Sequence, residues 1–293
     1  MDLLIRQLIN GLNTGSIYAL VAIGYTMVYG IIRLINFAHG EMIMIGGYIA
    51  FFMATLIPGV GLWVVLIVSM LGGALIGFLI EKIAYLKLRN APRISALITA
   101  IGMSLLLQNI ALVSFSANPL VMPALVDPTP LMIGDYAIPR LAVYVIVLTA
   151  LLMVGLHLFI RHTKTGRAMR AVSQDYTAAS AMGINVNLIV SITFAIGSAL
   201  GALGGVFYSM SYLQVFPTMG AFPGLKAFVA AVFGGIGSLA GAMLGGFLIG
   251  IMETFVKGYV SSGYADAIVF LSLILILFLR PAGILGTFRK EKV

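Results

Sequence analysis

The sequence predicts an all-α integral membrane protein of about nine membrane segments, and three observations carry that expectation. The 293 residues are 61% hydrophobic and 9% charged, with a mean hydropathy of +1.12. A soluble domain carries about 25% charged residues, so this much apolar surface calls for lipid as its solvent. Uncharged runs cover 7–32, 42–80, 94–126, 141–160, 176–225 and 227–252. Each can cross a hydrocarbon layer that takes about 20 apolar residues, and none shows the polar–apolar alternation of a barrel strand. The third observation is where the basic residues fall. They gather as Lys82, Lys87, Arg89 and Arg93, then Arg161, Lys164, Arg167 and Arg170, then Arg280, Arg289, Lys290 and Lys292. Each cluster ends or separates apolar runs, which is the positive-inside pattern and places all three in the cytoplasm. The net charge of +8 is therefore a membrane signature and does not point to nucleic acid.

Threading follows from those anchors. The start, MDLLIRQLINGLNTGS, lacks the basic region and cleavage site of a secretory signal, so the first segment is expected to be retained. A first helix (12–32) runs inward to Arg33, which puts the N-terminus outside. A second segment (37–56) returns to a turn at Pro58-Gly59, and a third (62–86) comes back to the first basic cluster. A pair near 94–116 and 140–160 flanks an external loop, 117–139, with Pro119, Pro123, Pro128, Pro130, Pro139, Asp127 and Asp135. A helix near 187–213 runs outward to a break at Phe216-Pro217. Residues 223–257 are expected to form two short helices around a turn at GGIGS (234–238), or a re-entrant hairpin that would leave eight spans. A last helix (264–280) ends in the cytoplasm. The whole chain, 1–293, reads as a single transmembrane domain.

Glycines at four-residue spacing, Gly73/Gly77, Gly197/Gly201/Gly205, Gly237/Gly241/Gly245 and Gly246/Gly250, predict close helix packing. Gly46-Gly47 and Gly234-Gly235 fit either packing or a broken helix. Two places interrupt the spans in a similar way. IRLINFAHGEMIMIGG (32–47) puts Asn36, His39 and Glu41 at the start of an apolar segment, and VFPTMGAFPGLKAF (215–228) puts two prolines and Lys226 before another. Paired interruptions are the trace of an internal repeat with a substrate route at its interface. Asn36, His39, Glu41 and Lys226 are thus candidates for that route. The competing reading has Glu41 capping a half-helix or pairing with Arg33. Glu81-Lys82 reads as an interfacial pair, and Glu253 with Lys257, four apart, as a helix-face ion pair.

The most polar stretch, RHTKTGRAMRAVSQDYTAASAMGIN (161–185), interrupts the oily chain in its middle. Met169, Val172, Tyr176, Ala179 and Met182 fall on one side of a helix, and Arg167, Arg170, Gln174 and Thr177 on another. Gly183 is placed as its stop. Such a helix lies on anionic lipid or docks in a groove of a partner. There is no GxxxxGK[ST], HExxH or GxSxG motif and no cysteine, so no chemistry of those kinds is expected here.

The stretches GSIYALVAIGYTMVYGIIRLINFAHGEMIMIGGY (15–48), ALITAIGMSLLLQN (96–109), GRAMRAVSQDYTAASAMGI (166–184), GLKAFVAAVFGGIGSLAGAMLGGFLIGI (224–251) and RPAGILG (280–286) together resemble the LivH-type permeases of branched-chain amino-acid ABC importers. They occur in order along nearly the whole chain, and NFAHGE and AVFGGIGS are the most distinctive. The resemblance implies an ABC importer permease architecture in a bacterial or archaeal inner membrane. It implies a LivM-like second permease, two ATP-binding subunits that carry ATP and magnesium, and a periplasmic or lipid-anchored binding protein for Leu, Ile or Val. This chain would carry no cofactor and no enzymatic activity. The stretch 161–185 becomes the coupling loop, with Arg167, Arg170, Asp175, Ala178, Ala179 and Gly183 facing an ATPase. Ala178-Ala179 and Gly183 match the Ala-Ala-x-x-x-Gly core of such loops, while Thr177 replaces their usual glutamate and the downstream Leu-Pro is missing. Other cargo (urea, short amides, other amino acids) and an ion-coupled secondary transporter are the rival readings.

Overall fold

A computed structural model describes residues 2–32, 35–88, 91–134 and 136–286. Expectations for Arg33, Arg89, Asp135, Arg289, Lys290 and Lys292 lie outside the described residues, as does the pairing of Glu41 with Arg33. Helix α1 (Asp2–Ile32) begins ten residues before the expected start, because QLINGLNTGS has nothing that stops a helix once tertiary contacts cover it. One tight turn, Phe37–Gly40, leads into α2 (Glu41–Leu56). Next is α3 (Leu62–Ile80), extended by a wider π-type turn, Glu81–Tyr85, and then α4 (Arg93–Phe115).

The 117–139 loop holds three short strands, β1 (Leu120–Val121), β2 (Leu131–Ile133) and β3 (Tyr136–Ile138), of which β2 and β3 pair antiparallel. After α5 (Arg140–His162) comes a correction. The expected single amphipathic helix is two, α6 (Lys164–Gln174) and α7 (Tyr176–Ala181). Asp175 is extended, and its carboxylate accepts from the Ala178 N–H at 2.9 Å, so it caps a new helix instead of continuing the old one. Met182, assigned to the apolar side, is therefore 79% exposed just beyond α7. Gly183 does stop the helix. Its φ of +80° lets the Ile184 N–H reach back to the Ala179 carbonyl, a Schellman closure.

Helix α8 (Val186–Tyr212) ends at Leu213, and β4 (Gln214–Val215) pairs with β1. Helix α9 (Ala221–Gly234) has 14 residues, about 21 Å at 1.5 Å per residue, too short for a hydrocarbon core of about 30 Å. Helix α10 (Leu239–Tyr259) has 21 residues and can cross, so only the first of the two helices expected in 223–257 is short. Helix α11 (Ser262–Leu279) closes the bundle. Eight helices are long and apolar enough to cross a membrane, with α9 as a shorter apolar piece. The chain is a multi-pass membrane protein.

The packing repeats itself. Helix α1 lies against α10 and α9, while α8 lies against α3 and α2. In the first pair Gly246 sits on Ala19 and Gly250 on Gly15; in the second Gly73 sits on Ala202 and Gly77 on Ser198. So α1, break, α2, α3, α4 matches α8, break, α9, α10, α11. Helix α8 is the sixth long helix and α1 the first, so the two halves run in opposite directions. Small residues provide both contacts because helices in lipid associate by close van der Waals approach. Gly237 differs from the rest of its expected stripe: it meets nothing within 4 Å and has φ +91° in the α9–α10 turn. The most enclosed helix is α1, 83% buried over its apolar window, against 11% for α11.

Candidate translocation site and coupling loop

The two breaks meet. A Cβ on Gly40 would stand 3.2 Å from the Gly220 carbonyl oxygen and 3.3 Å from the Gly224 Cα. The start of α2 and the start of α9 therefore touch through backbone alone. Helix α2, at 16 residues, needs the turn from Phe37 to reach the 20 residues of a span, so both crossings are completed by the segment before the helix, and the two helix starts converge inside the bundle. That is where non-helical backbone is tolerated in a membrane: enclosed in protein or lining a cavity.

Each polar residue at the first break has a different neighbour. Asn36 accepts from the Tyr85 hydroxyl at 2.7 Å, which joins the break to the end of α3. His39 is buried between α1 and α8, over Gly24 and Gly201. Its Nε2 meets the Val21 carbonyl oxygen at 3.2 Å, so Nε2 carries the proton. Its ring lies edge-on to Tyr25 at 4.6 Å. Glu41 is the first residue of α2 and is buried; its Oε1 accepts from the Ser104 hydroxyl at 2.8 Å and the Gln108 amide at 2.7 Å. Among the described residues Glu41 Oε2 and His39 Nδ1 have no hydrogen-bond partner. Ser104 and Gln108 were not among the residues expected at the break, although two polar residues four apart in an uncharged run share one helix face.

Lys226 lies elsewhere, in an ionic cluster. Its Nζ reaches Glu253 Oε1 at 2.8 Å and Asp266 Oδ1 at 2.6 Å. Lys257 meets the same Glu253 oxygen at 2.6 Å, as its i+4 spacing predicted. The Tyr18 hydroxyl donates to Glu253 Oε2 at 2.7 Å. The cluster ties α1, α9, α10 and α11 together. Asp266 was legible as a lone acid in the last apolar segment, where ionisable groups are costly unless paired. Glu81 stands 3.7 Å from Lys82, the pair its sequence position predicted, and its buried carboxylate also accepts from the Ser191 hydroxyl at 2.7 Å.

In the 117–139 loop, Asp127 accepts from the Thr129 N–H at 3.0 Å and pairs with Arg140 at 2.8 Å. The Thr129 backbone bond, then its side chain and the Arg140 charge, hold the Asp127 carboxyl below the usual aspartate range.

At the other end, α6 is capped by Thr163, whose hydroxyl oxygen accepts from the Gly166 N–H at 3.0 Å. Met169, Val172 and Ala179 face the bundle and are buried, while Arg167, Arg170, Asp175, Ala178 and Gly183 are exposed. Arg167 donates to the His162 carbonyl at 3.1 Å, and Arg170 to the Ile160 carbonyl. Both cap the end of α5, where cations suit the dipole. The Tyr176 hydroxyl donates to the Ile31 carbonyl at 2.9 Å, linking α7 to α1. A cavity of about 120 Å³ lies beneath α6, bordered by Thr26, Ile31, Ile160, Met169, Arg170 and Leu239.

Two inverted halves whose breaks converge inside the bundle define a class, the membrane permeases built from repeats with interrupted helices. The sequence pattern of the family described as "Branched-chain amino acid transport system / permease component" matches residues 7–278, and the chain belongs to that family. It is similar to the high-affinity branched-chain amino acid transport system permease protein BraD of Pseudomonas aeruginosa, at 45% identity over 99% of this chain and 98% of that one. It is also similar to the permease protein LivH of the corresponding system in Escherichia coli, at 41% identity over 99% and 97%. At 26% identity, over 94% and 85%, it is similar to the ribose import permease protein RbsC of Escherichia coli. No solved structure matches.

Proposed function

We propose that this chain is one of two permease subunits in an ATP-driven importer of leucine, isoleucine and valine. The observation that carries this is end-to-end similarity, at 45% and 41% identity, to two proteins named as permeases of high-affinity branched-chain amino-acid systems. A LivM-like permease completes the channel in the inner membrane. Two ATPases hydrolyse ATP with magnesium in the cytoplasm, and a periplasmic or lipid-anchored binding protein delivers the substrate. The N-terminus and 117–139 lie outside, and 161–185 and the C-terminus lie inside, in keeping with the basic clusters; α9 and the extended stretch before it together make the ninth crossing, because the end of α9 packs against residues 282–286 beyond α11.

The ATPases seat on the coupling loop 161–185. Its exposed Arg167, Arg170, Asp175, Ala178 and Gly183 form the contact, while buried Ala179 holds α7 to the bundle. Closure of the ATPases shifts α6 into the cavity beneath it, and the pull passes through Tyr176 to the end of α1. Helix α1 contacts His39, so the break at Asn36, His39 and Glu41, together with Lys226, changes its exposure to the path. The pull acts only because the two states differ in these contacts.

Purification with the partner permease, both ATPases and the binding protein, followed by reconstitution into vesicles, tests the reading. Leucine uptake should require ATP and the binding protein and survive an ionophore. Uptake driven by an ion gradient without ATP would overturn it in favour of a secondary transporter. The similarity to a ribose import permease supports a second reading: a small cargo of another kind, such as urea, an amide or a different amino acid, selected by the binding protein. Competition for uptake by unlabelled candidates separates the two.

A further inference from the structure

We infer that Lys257 and Asp266, at the outer ends of α10 and α11, form a receiving site for the paired charges of a zwitterionic α-amino acid. The inference rests on the importer reading above. It starts from how unevenly the four ions of the cluster are used. Glu253 is fully engaged: Oε1 takes Lys226 and Lys257, and Oε2 takes the Tyr18 hydroxyl. Lys226 is engaged twice and its side chain is 8% exposed. The other two are half-used. Among the described residues Asp266, with a 48% exposed side chain, pairs with Lys226 alone, through Oδ1, and Lys257, with a 37% exposed side chain, pairs with Glu253 alone. So one carboxylate oxygen and two ammonium hydrogens remain open, of opposite sign and joined through the same Glu253–Lys226 pair.

A free α-amino acid presents the complementary set: an ammonium for Asp266 and a carboxylate for Lys257, both as charge-assisted hydrogen bonds. The buried Glu253–Lys226 pair behind them keeps the cluster neutral and fixes the geometry. Asp266 is the fifth residue of α11 and Lys257 the third from the end of α10, so the pair sits about 6 Å or less inside the helix ends, within reach of water. Phe222, 63% exposed and one turn before Lys226 on α9, offers an apolar surface for the aliphatic side chain.

The test uses the complete complex in vesicles. This chain has no cysteine, so Gly263→Cys, exposed on α11 with room for a Cβ and one turn before Asp266 on the same face, is labelled alone once the partners' cysteines are replaced. A membrane-impermeant maleimide is applied from outside. Leucine at about ten times its dissociation constant should slow labelling about tenfold. 4-Methylpentanoate and 3-methylbutylamine, which carry one charge each, should not. Asp266→Asn and Lys257→Gln should each abolish protection, with ATPase co-purification as the check on assembly. Lack of protection by leucine, equal protection by either single-charge analogue, or protection that survives both substitutions would overturn the site. Those results leave the importer reading standing as long as ATP-driven leucine uptake persists, whereas loss of that uptake in the unsubstituted complex strikes the importer reading itself.

Discussion

Glu41 and Lys226 are both ionisable, both buried, and held in opposite ways. Glu41 takes two neutral donors from α4, while Lys226 takes two carboxylates. Glu41→Gln keeps an acceptor oxygen for Ser104 and Gln108, so the assembled complex should melt at an unchanged or higher temperature. Its leucine uptake should fall if the carboxylate charge serves the path; equal uptake would assign Glu41 to packing. Glu41→Ala leaves both donors unpaired and should cost about 1–3 kcal/mol. Lys226→Met strips Glu253 and Asp266 of a shared partner. Breaking a buried pair costs about 3–5 kcal/mol, and the lower end is expected here because Lys257 remains on Glu253. Lys257→Met should cost less, since that side chain is 37% exposed and better solvated. Thermal melts of the purified complex rank the four.

Among the elements, α2 and α8 are joined through Gly46 and Gly205, where any Cβ would run into the Ala202 and Ile43 backbones. Those contacts cannot yield by a rotamer change. Gly46→Val should therefore cost at least the about 1–3 kcal/mol of an overpacked core and reduce the yield of assembled complex. Gly155→Ala, with nothing within 4 Å, should leave both yield and melting unchanged. The α6–α7 pair gives a second contrast. Ala179 is 2% exposed, so Ala179→Trp should unseat α7 and uncouple ATP hydrolysis from uptake. Thr177→Trp, on the exposed side, tests contact with an ATPase directly: lost co-purification would mark that side as the docking surface. If Ala179→Trp hydrolyses ATP and transports as the unsubstituted protein does, α7 is not a transmitting element.

For the whole molecule, the inverted halves commit the two ends of the bundle to opposite sides of the membrane. Cysteines at Ser180 and Ala124, both exposed, should react with an impermeant reagent from opposite faces, with Ser180 reached from the cytoplasm. Labelling of both from one face would break the threading and the positive-inside assignment together. The halves also place α4 and α11 equivalently, and their apolar windows are only 17% and 11% buried. Those faces, with that of α5 at 17%, are left for lipid or another chain.

The sequence by itself determined the solvent, most of the helices and the two breaks, because these follow from local composition: uncharged length, basic flanks, and proline or polar residues opening an apolar run. Residues 37–56, 94–116 and 140–160 were placed to within a residue or two for that reason. It also determined Gly183 as a stop, since only glycine takes that φ without strain. Tertiary structure decided the rest. Whether Gly237 packs or turns, whether Asp175 continues a helix or starts one, and whether Glu81 keeps to Lys82 or also takes Ser191 depend on what stands opposite. Glu41 found Ser104 and Gln108 across 63 and 67 residues of chain, and Lys226 found Asp266 on another helix. A buried charge takes whichever partner the fold brings within about 3 Å, and sequence spacing carries that information only inside one helix, as it did for Glu253 and Lys257.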